Sequence, residues 1–399
     1  MTKLSIQDIS LKGQTVLMRV DFNIPLDKSG KITDDTRIKA SLPSIEYVIN
    51  QEAKLILMSH LGRPKGEKSS KFSLGPAAKR LSELLNHPVI MAPDCIGKDV
   101  KNLVDSLLPK DILLLENLRF YAAEERPDLD PSFAKNLASY ADIYVNNAFG
   151  AAHRNHSSVT TITQYFPQKA VAGFLLDKEI AFLSKLAQQP KRPFYAILGG
   201  AKVSSKIGVI KNLIEKVDSI FIGGGMAYTF LKAQGYNLGG SLIEDNQIEN
   251  AKQIMKKCEE KAVKLFLPLD IIISNEFSNN AESKVIPIKE SVPDEWQGMS
   301  IGPKTVEEWS GLLQQAATIF WNGPLGVFEF PNFAKATRDI AAILSNLNAT
   351  TVVGGGDSVA AINQMGLSEK FTHLSTGGGA SLEYLEFGHL PGIDALCDR

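Results

Sequence analysis

Arginine and histidine gather behind the apolar runs of the first half of this chain, and glycine behind those of the second. In the first half Thr15–Val20 leads to Asp21 and Asn23, with Arg37 close behind, and Lys54–Met58 leads to Ser59, His60 and Arg63. Asp111–Leu115 leads to Glu116, Asn117 and Arg119, and Ile143–Val145 leads through Asn146, Asn147 and Gly150 to His153, Arg154 and His156. A guanidinium grips phosphate or carboxylate through a two-pronged hydrogen bond. A single surface arginine is ordinarily just solvated, but arginines recurring at one end of successive strands point to a shared anion site. In the second half Phe194–Leu198, Ser219–Ile222, Thr318–Trp321, Thr351–Val353 and His373–Ser375 run into Gly199-Gly200, Gly223–Gly225, Gly323, Gly354–Gly356 and Gly377–Gly379. Glycine beyond a strand lets backbone N–H groups approach phosphate oxygens at a helix start, so these turns read as a phosphate cradle. The plainer alternative, a series of unrelated turns, is weakened by their recurrence after strands.

Individual strings carry weaker signals. Neither a P-loop nor a G-x-G-x-x-G dinucleotide fingerprint is present. Gly199–Lys206 reads as a strand-to-helix turn with Lys202 and Lys206 one turn apart on one helical face, either a pair that neutralises a polyphosphate or an exposed helix start. Gly354-Gly355-Gly356-Asp357-Ser358 opens a helix, so Asp357 is either its N-cap or, beside a triphosphate, a magnesium ligand. The setting favours the metal. Asp21-Phe22-Asn23 shares two residues with a protein-kinase metal motif, but Asn replaces its Gly and no H-R-D loop follows. His153 and His156 have metal-ligand spacing, yet Arg154 between them would repel a cation, which favours an anion-site or surface role.

These loops need a scaffold. Apolar runs alternate with helical patterns over Ser73–Leu85, Pro131–Tyr140, Lys202–Val217, Ala227–Ala233 and Phe333–Leu347, which predicts βα units, an α/β fold and parallel sheets. At 399 residues the chain exceeds the size of a single core, so domains of roughly 150–200 residues are expected. Gly173–Gln189, with Leu175, Leu176, Ile180, Leu183 and Leu186 at helical spacing and Pro190 and Pro193 behind it, reads as a connecting helix. The expected division is an N-terminal domain over 1–172, a hinge helix over 173–189, and a C-terminal domain over 190–387. Lys and Arg number 43 against 44 Asp and Glu, which gives no general attraction to nucleic acid or membrane. Three cysteines without paired spacing fit a reducing cytoplasm, and no run approaches the roughly 18 apolar residues of a membrane span.

Longer strings are more specific. Arg19–Asn23, Ser59–Pro64, Gly199–Val203, Trp321–Pro324 with Glu329, Gly354–Asp357 and Ser375–Ser381 occur in the order found in phosphoglycerate kinases, which the chain resembles over essentially its full length. The resemblance implies two Rossmann-like three-layer domains and reversible phosphoryl transfer from 1,3-bisphosphoglycerate to ADP, giving 3-phosphoglycerate and ATP, a glycolytic step. It implies Mg2+, these substrates, no nucleic-acid or membrane partner, a monomer, and a C-terminal segment over 388–399 that returns to the N-terminal domain. Carried over by motif, Asp21, Asn23, Arg37, His60, Arg63, Arg119 and Arg154 would bind the triose substrate. Gly200, Lys202, Lys206, Asn322, Glu329, Gly356, Asp357 and Ser358 would bind nucleotide, Glu329 through the ribose hydroxyls and Asp357 through the metal. Four positions depart from the family's common residues: Asn147, Ser205 and Ser300 stand for Asp, and Phe387 for Gly.

Phosphoryl transfer demands in-line positioning and charge stabilisation more than covalent help. In the reverse direction the acceptor is already a carboxylate, so no general base is needed. Arg37, Lys202 and backbone N–H groups at Gly356 and Gly378 are expected to meet the transition-state charge, with domain closure bringing the two sites together. A nicotinamide oxidoreductase shares the alternating βα pattern but would need the missing dinucleotide fingerprint. A non-catalytic nucleotide- or nucleic-acid-binding relative would not need both half-sites complete.

Overall fold

A computed structural model describes residues 3–399. Two compact units emerge, one running up to Ala181 and including His389–Arg399, the other Phe182–Gly388. The expected α/β class holds in both. In the first unit β1 (Thr15–Arg19), β2 (Lys54–Met58), β3 (Val89–Met91), β4 (Ile112–Leu114), β5 (Ile143–Asn146) and β6 (Ala170–Ala172) form a parallel sheet in the order β3-β4-β2-β1-β5-β6. Both faces of such a sheet are covered, which is why its strands are apolar throughout rather than alternating. Register aligns Arg19 with Met58 and with Asn146, so the basic loops leave the sheet side by side. This carboxyl edge is where open α/β sheets bind ligands.

In the second unit β7 (Phe194–Leu198), β8 (Ser219–Ile222) and β9 (Lys264–Phe266) lead into three further strands, β10 (Asp270–Ser274), β11 (Ser283–Pro287) and β12 (Gln297–Ile301). Then come β13 (Thr318–Asn322), β14 (Thr350–Gly354) and β15 (His373–Leu374), and the six-stranded parallel sheet has the order β15-β14-β13-β7-β8-β9. Asn322 is in register with Leu198 and Gly354, which brings three glycine turns to one edge. The antiparallel sheet β11-β10-β12 was not expected from the βα rhythm; it packs on its own apolar cluster around Tyr228, Leu231, Ile271 and Ile286.

The chain passes from one unit to the other within the helix Phe174–Gln188, where Leu176, Leu183 and Leu186 are buried. After the helix Gly378–Phe387 the chain turns at Gly388, whose φ of +77° is left-handed and suits glycine. The turn therefore falls one residue beyond Phe387, which ends the helix. His389–Arg399 then lies within the first unit: Cys397 N–H donates to Ala170 O at 3.0 Å, and Asn146 Nδ2 donates to Gly392 O at 3.0 Å. Among the described residues no helix is long and apolar enough to cross a membrane.

Candidate functional site

At the edge of the first sheet, Arg37 donates from Nη1 to Asp21 Oδ2 at 2.7 Å. Burial opposes the Asp21 charge, but Arg37 and Arg19 outweigh it and hold the carboxyl below its ordinary pKa of 3.8. Asn23 Oδ1 accepts from Gly62 N–H at 2.9 Å, and Gly62 O accepts from Arg119 Nη1 at 2.8 Å, so three loops are tied in sequence. Arg19 Nη2 donates to His60 Nδ1 at 3.1 Å, which leaves the ring proton on Nε2. Burial, with Arg19, Arg119 and Arg37 nearby, pushes His60 well below 6.5 and keeps it neutral. His153 and His156 follow for the same reasons: burial first, then neighbouring arginines, bring them to about 4 and about 3. Arg119 Nε is paired with Glu125 Oε1 at 3.2 Å, whereas the buried His153 Nδ1 and His156 Nδ1 have no hydrogen-bond partner. Arg154 is exposed but acts on both histidines, whereas Arg63, also exposed, bonds to none of this group.

Two wholly buried charges at this centre, Arg19 and Glu124, were not among the expected site residues. Arg19 did leave a signal, a lone charge ending an apolar strand. Glu124 left none, because Ala-Glu-Glu-Arg reads as a solvated helix face. Asn147 proves to be structural: its Oδ1 accepts from Ser44 Oγ and from Leu175 N–H, both at 3.0 Å, and so caps the helix Phe174–Gln188. Its buried Nδ2 finds no partner.

In the second unit the expected helix over Lys202–Val217 starts only at Ile207 and ends at Leu213. Lys202 and Lys206 do not share a helical face. The reason lies in Lys206, whose ammonium turns back to the sheet edge and donates to Gly199 O at 2.6 Å, Asn322 O at 2.9 Å and Asn322 Oδ1 at 2.7 Å. All three donors are thereby used. Burial lowers its pKa to about 8 against the favourable charge of Asp357. Lys202 is exposed and free of such bonds, as is Glu329 in the loop after β13. Gly323, at φ +96°, passes so close that a Cβ there would lie 2.7 Å from Lys206 Nζ, and its N–H donates to Ser358 Oγ at 2.8 Å. Lys206, Asn322, Gly200, Asp357 and Ser358 therefore converge, while Lys202 and Glu329 are exposed and bond to none of them.

The helix Gly356–Gln364 is N-capped by Gly355, not by Asp357, which lies exposed in the first turn. The capping alternative for Asp357 is overturned, since glycine with φ +95° takes that place. A second helix, Gly378–Phe387, is N-capped by Gly377. A Cβ on Gly378 would lie 2.4 Å from Gly355 Cα, so the two helix starts touch. Glycine caps supply no side-chain oxygen, and the first N–H groups of both helices remain available to an anion. Among the described residues no cluster of three or more His, Cys, Asp or Glu forms a metal cage. The donor set fits magnesium held by one carboxylate, Asp357, with phosphate oxygens. Asn322 Nδ2, buried and unpartnered beside Gly354 and Gly355, adds an amide donor to the same edge. Ser300, one of the four departures, is buried and packs against Gly326, where a Cβ would come 2.3 Å from its Oγ.

Comparison with known proteins agrees with this geometry. The family model described as phosphoglycerate kinase matches residues 6–388. A phosphoglycerate kinase of Chlorobium chlorochromatii is 54% identical over 99% of this chain and 100% of its own length. One of Koribacter versatilis is 52% identical over the full length of both. The crystal structure of phosphoglycerate kinase from Pyrococcus horikoshii superposes with a TM-score of 0.87 at 31% identity, covering 99% of this chain and 98% of that one. With a matching model from Ile6 to Gly388, full-length relatives above half identity, and the same fold in a solved structure, the chain belongs to the phosphoglycerate kinase family.

Proposed function

We propose that the first unit binds the three-carbon phosphate and the second the nucleotide in the family's reaction. That reaction is the reversible transfer of a phosphoryl group from 1,3-bisphosphoglycerate to ADP, giving 3-phosphoglycerate and ATP, and the chain is such a kinase. The observation that carries the division is the contrast between the two sheet edges. One gathers arginines and neutral histidines; the other gathers glycine-capped helix starts, Lys206 and Asp357. The first suits a compact phosphate and carboxylate, the second a polyphosphate.

In this reading Asp21 orients Arg37, and neutral His60 offers Nε2–H to the substrate. Asn23, Arg63, Arg119 and Arg154 supply further donors. Gly200, Asn322 and Ser358 line the nucleotide side, and Glu329 takes the ribose hydroxyls. Lys206 acts by its charge and by clamping Gly199 to Asn322. Asp357 would hold Mg2+, which when bound offsets the phosphate charge. Arg37, Lys202 and the N–H groups of Gly356 and Gly378 meet the charge that grows on the transferring group.

A coupled assay of ATP consumption with 3-phosphoglycerate tests the assignment. Arg37→Ala and Lys202→Ala should each lower kcat by about a hundred- to thousandfold, the cost of removing one charged transition-state donor. Near-normal kcat in both would remove them from the chemistry. Because the two ligands belong to separate units, in-line transfer requires the units to close. A ligand shifts such an equilibrium only by its preference for the closed state, so the radius of gyration should fall most with 3-phosphoglycerate, nucleotide and Mg2+ together. Small-angle scattering profiles identical with and without the three ligands would count against closure.

A further inference from the structure

We infer that Glu124 is a positioning residue of the anion site: through Ser158 and Arg19 its carboxylate keeps His60 Nδ1 an acceptor, and it pins the segment that carries His153, Arg154 and His156. The inference rests on the proposed role of that site. Its argument is a count of protons. Ser158 has one hydroxyl proton, which goes to Glu124 Oε1 at 2.6 Å. Its lone pair then accepts Arg19 Nε–H at 2.8 Å. With Nη1 donating to Val20 O, Arg19 can offer Nη2–H to His60 only in one orientation, and His60 must present Nδ1 bare. The Nε2–H of His60 is what remains for a ligand.

The Glu124 carboxylate, with the backbone carbonyls of Ala123 and Glu124, also docks the neighbouring loop. Glu124 Oε2 accepts Ser158 N–H at 3.1 Å, Glu124 O accepts Ser157 N–H at 2.9 Å, and Ser157 Oγ donates to Ala123 O at 2.6 Å. His156 Nδ1 lies 3.8 Å from Glu124 Oε1, near but not bonded. Arg19 Nη2 is 3.7 Å away, and both ionic side chains are wholly buried. Burial pushes Glu124 above its ordinary pKa of 4.5, opposed by Arg19 and the Ser158 hydrogen bonds. Removing either side of a buried pair strands the other charge, and here the stranded group would be the one that orients His60.

The test uses the full chain with Glu124→Gln and Ser158→Ala. The first removes the charge and sets an amide donor against one of the Ser158 donors; the second deletes the relay atom and leaves the ion pair. Ring 15N shifts of His60 without ligand should show protonation on Nε2 in the wild type and a mixture of tautomers in both variants. Each variant should raise KM for 3-phosphoglycerate about tenfold, the scale of one lost hydrogen bond, while KM for ATP stays within about twofold. Wild-type tautomer and KM in a folded variant would make Glu124 a core charge only, and Ser158→Ala decides the matter if Glu124→Gln does not fold. If saturating 3-phosphoglycerate leaves the His60 signals of the wild type unmoved, the substrate assignment fails instead, and the ligand-free tautomer comparison still judges Glu124.

Discussion

The buried polar side chains at the two sheet edges are defined by what they already touch. Asp21, His60 and Arg119 could be picked out because strand ends carry functional groups. Their protonation states could not, since those depend on Arg19 and on burial. Lys206 shows the difference most sharply: as a sequence position it is one lysine of a turn, but in the fold it is buried, bonded to three acceptors, and shifted to about 8. The free enzyme therefore loses this charge as pH rises through about 8, whereas bound polyphosphate favours retaining it. kcat/KM for ATP should fall above pH about 8 while kcat persists to higher pH, because the first reports the free enzyme and the second the complex. A kcat/KM profile without a break in that region would overturn the assignment. Stability has the opposite sign: between about 8 and the ordinary 10.5 the unfolded chain binds the extra proton, so this group makes unfolding harder as pH rises.

Among the elements, strands were the most legible, since fully apolar runs bounded by glycine or charge leave little choice of position. Helix starts were less so. The segment after β7 has helical composition from Lys202, yet the helix waits until Ile207 because Lys206 is claimed by the sheet edge. Asn147 shows an element end set from afar: Ser44 and Asn147, distant in sequence, together satisfy the first N–H groups of Phe174–Gln188. Asn147→Ala should cost about 1–2 kcal/mol, the usual loss for a cap, measurable by denaturant unfolding. Asn147→Asp keeps the acceptor, removes the unpartnered Nδ2 and favours a helix N-terminus, so it should be at least as stable near neutral pH. If the alanine variant matches the wild type, the cap carries no weight.

For the whole molecule, the return of the C-terminal segment makes the first unit depend on residues far away in sequence. Leu390, Ile393 and Leu396 are buried there, each side chain contributing about 1.5–3 kcal/mol. Together they rival the stability of a domain. Deleting 389–399 should therefore strip hydrogen-exchange protection from Ile143–Asn146 and Ala170–Ala172 while Phe194–Leu198 stays protected. Equal loss in both units would show that the segment stabilises them jointly. What the sequence by itself determined was the alternation of strands and helices, the contrast between basic and glycine-rich loops, and the family, because periodicity and contiguous strings survive without coordinates. Only the tertiary structure decided that Lys206 faces inward, that Asp357 is not a cap, and that Arg19, Glu124, Ser158 and His60 form one relay. Those are matters of hydrogen-bond direction and burial between residues as many as 139 positions apart, and local sequence carries no record of them.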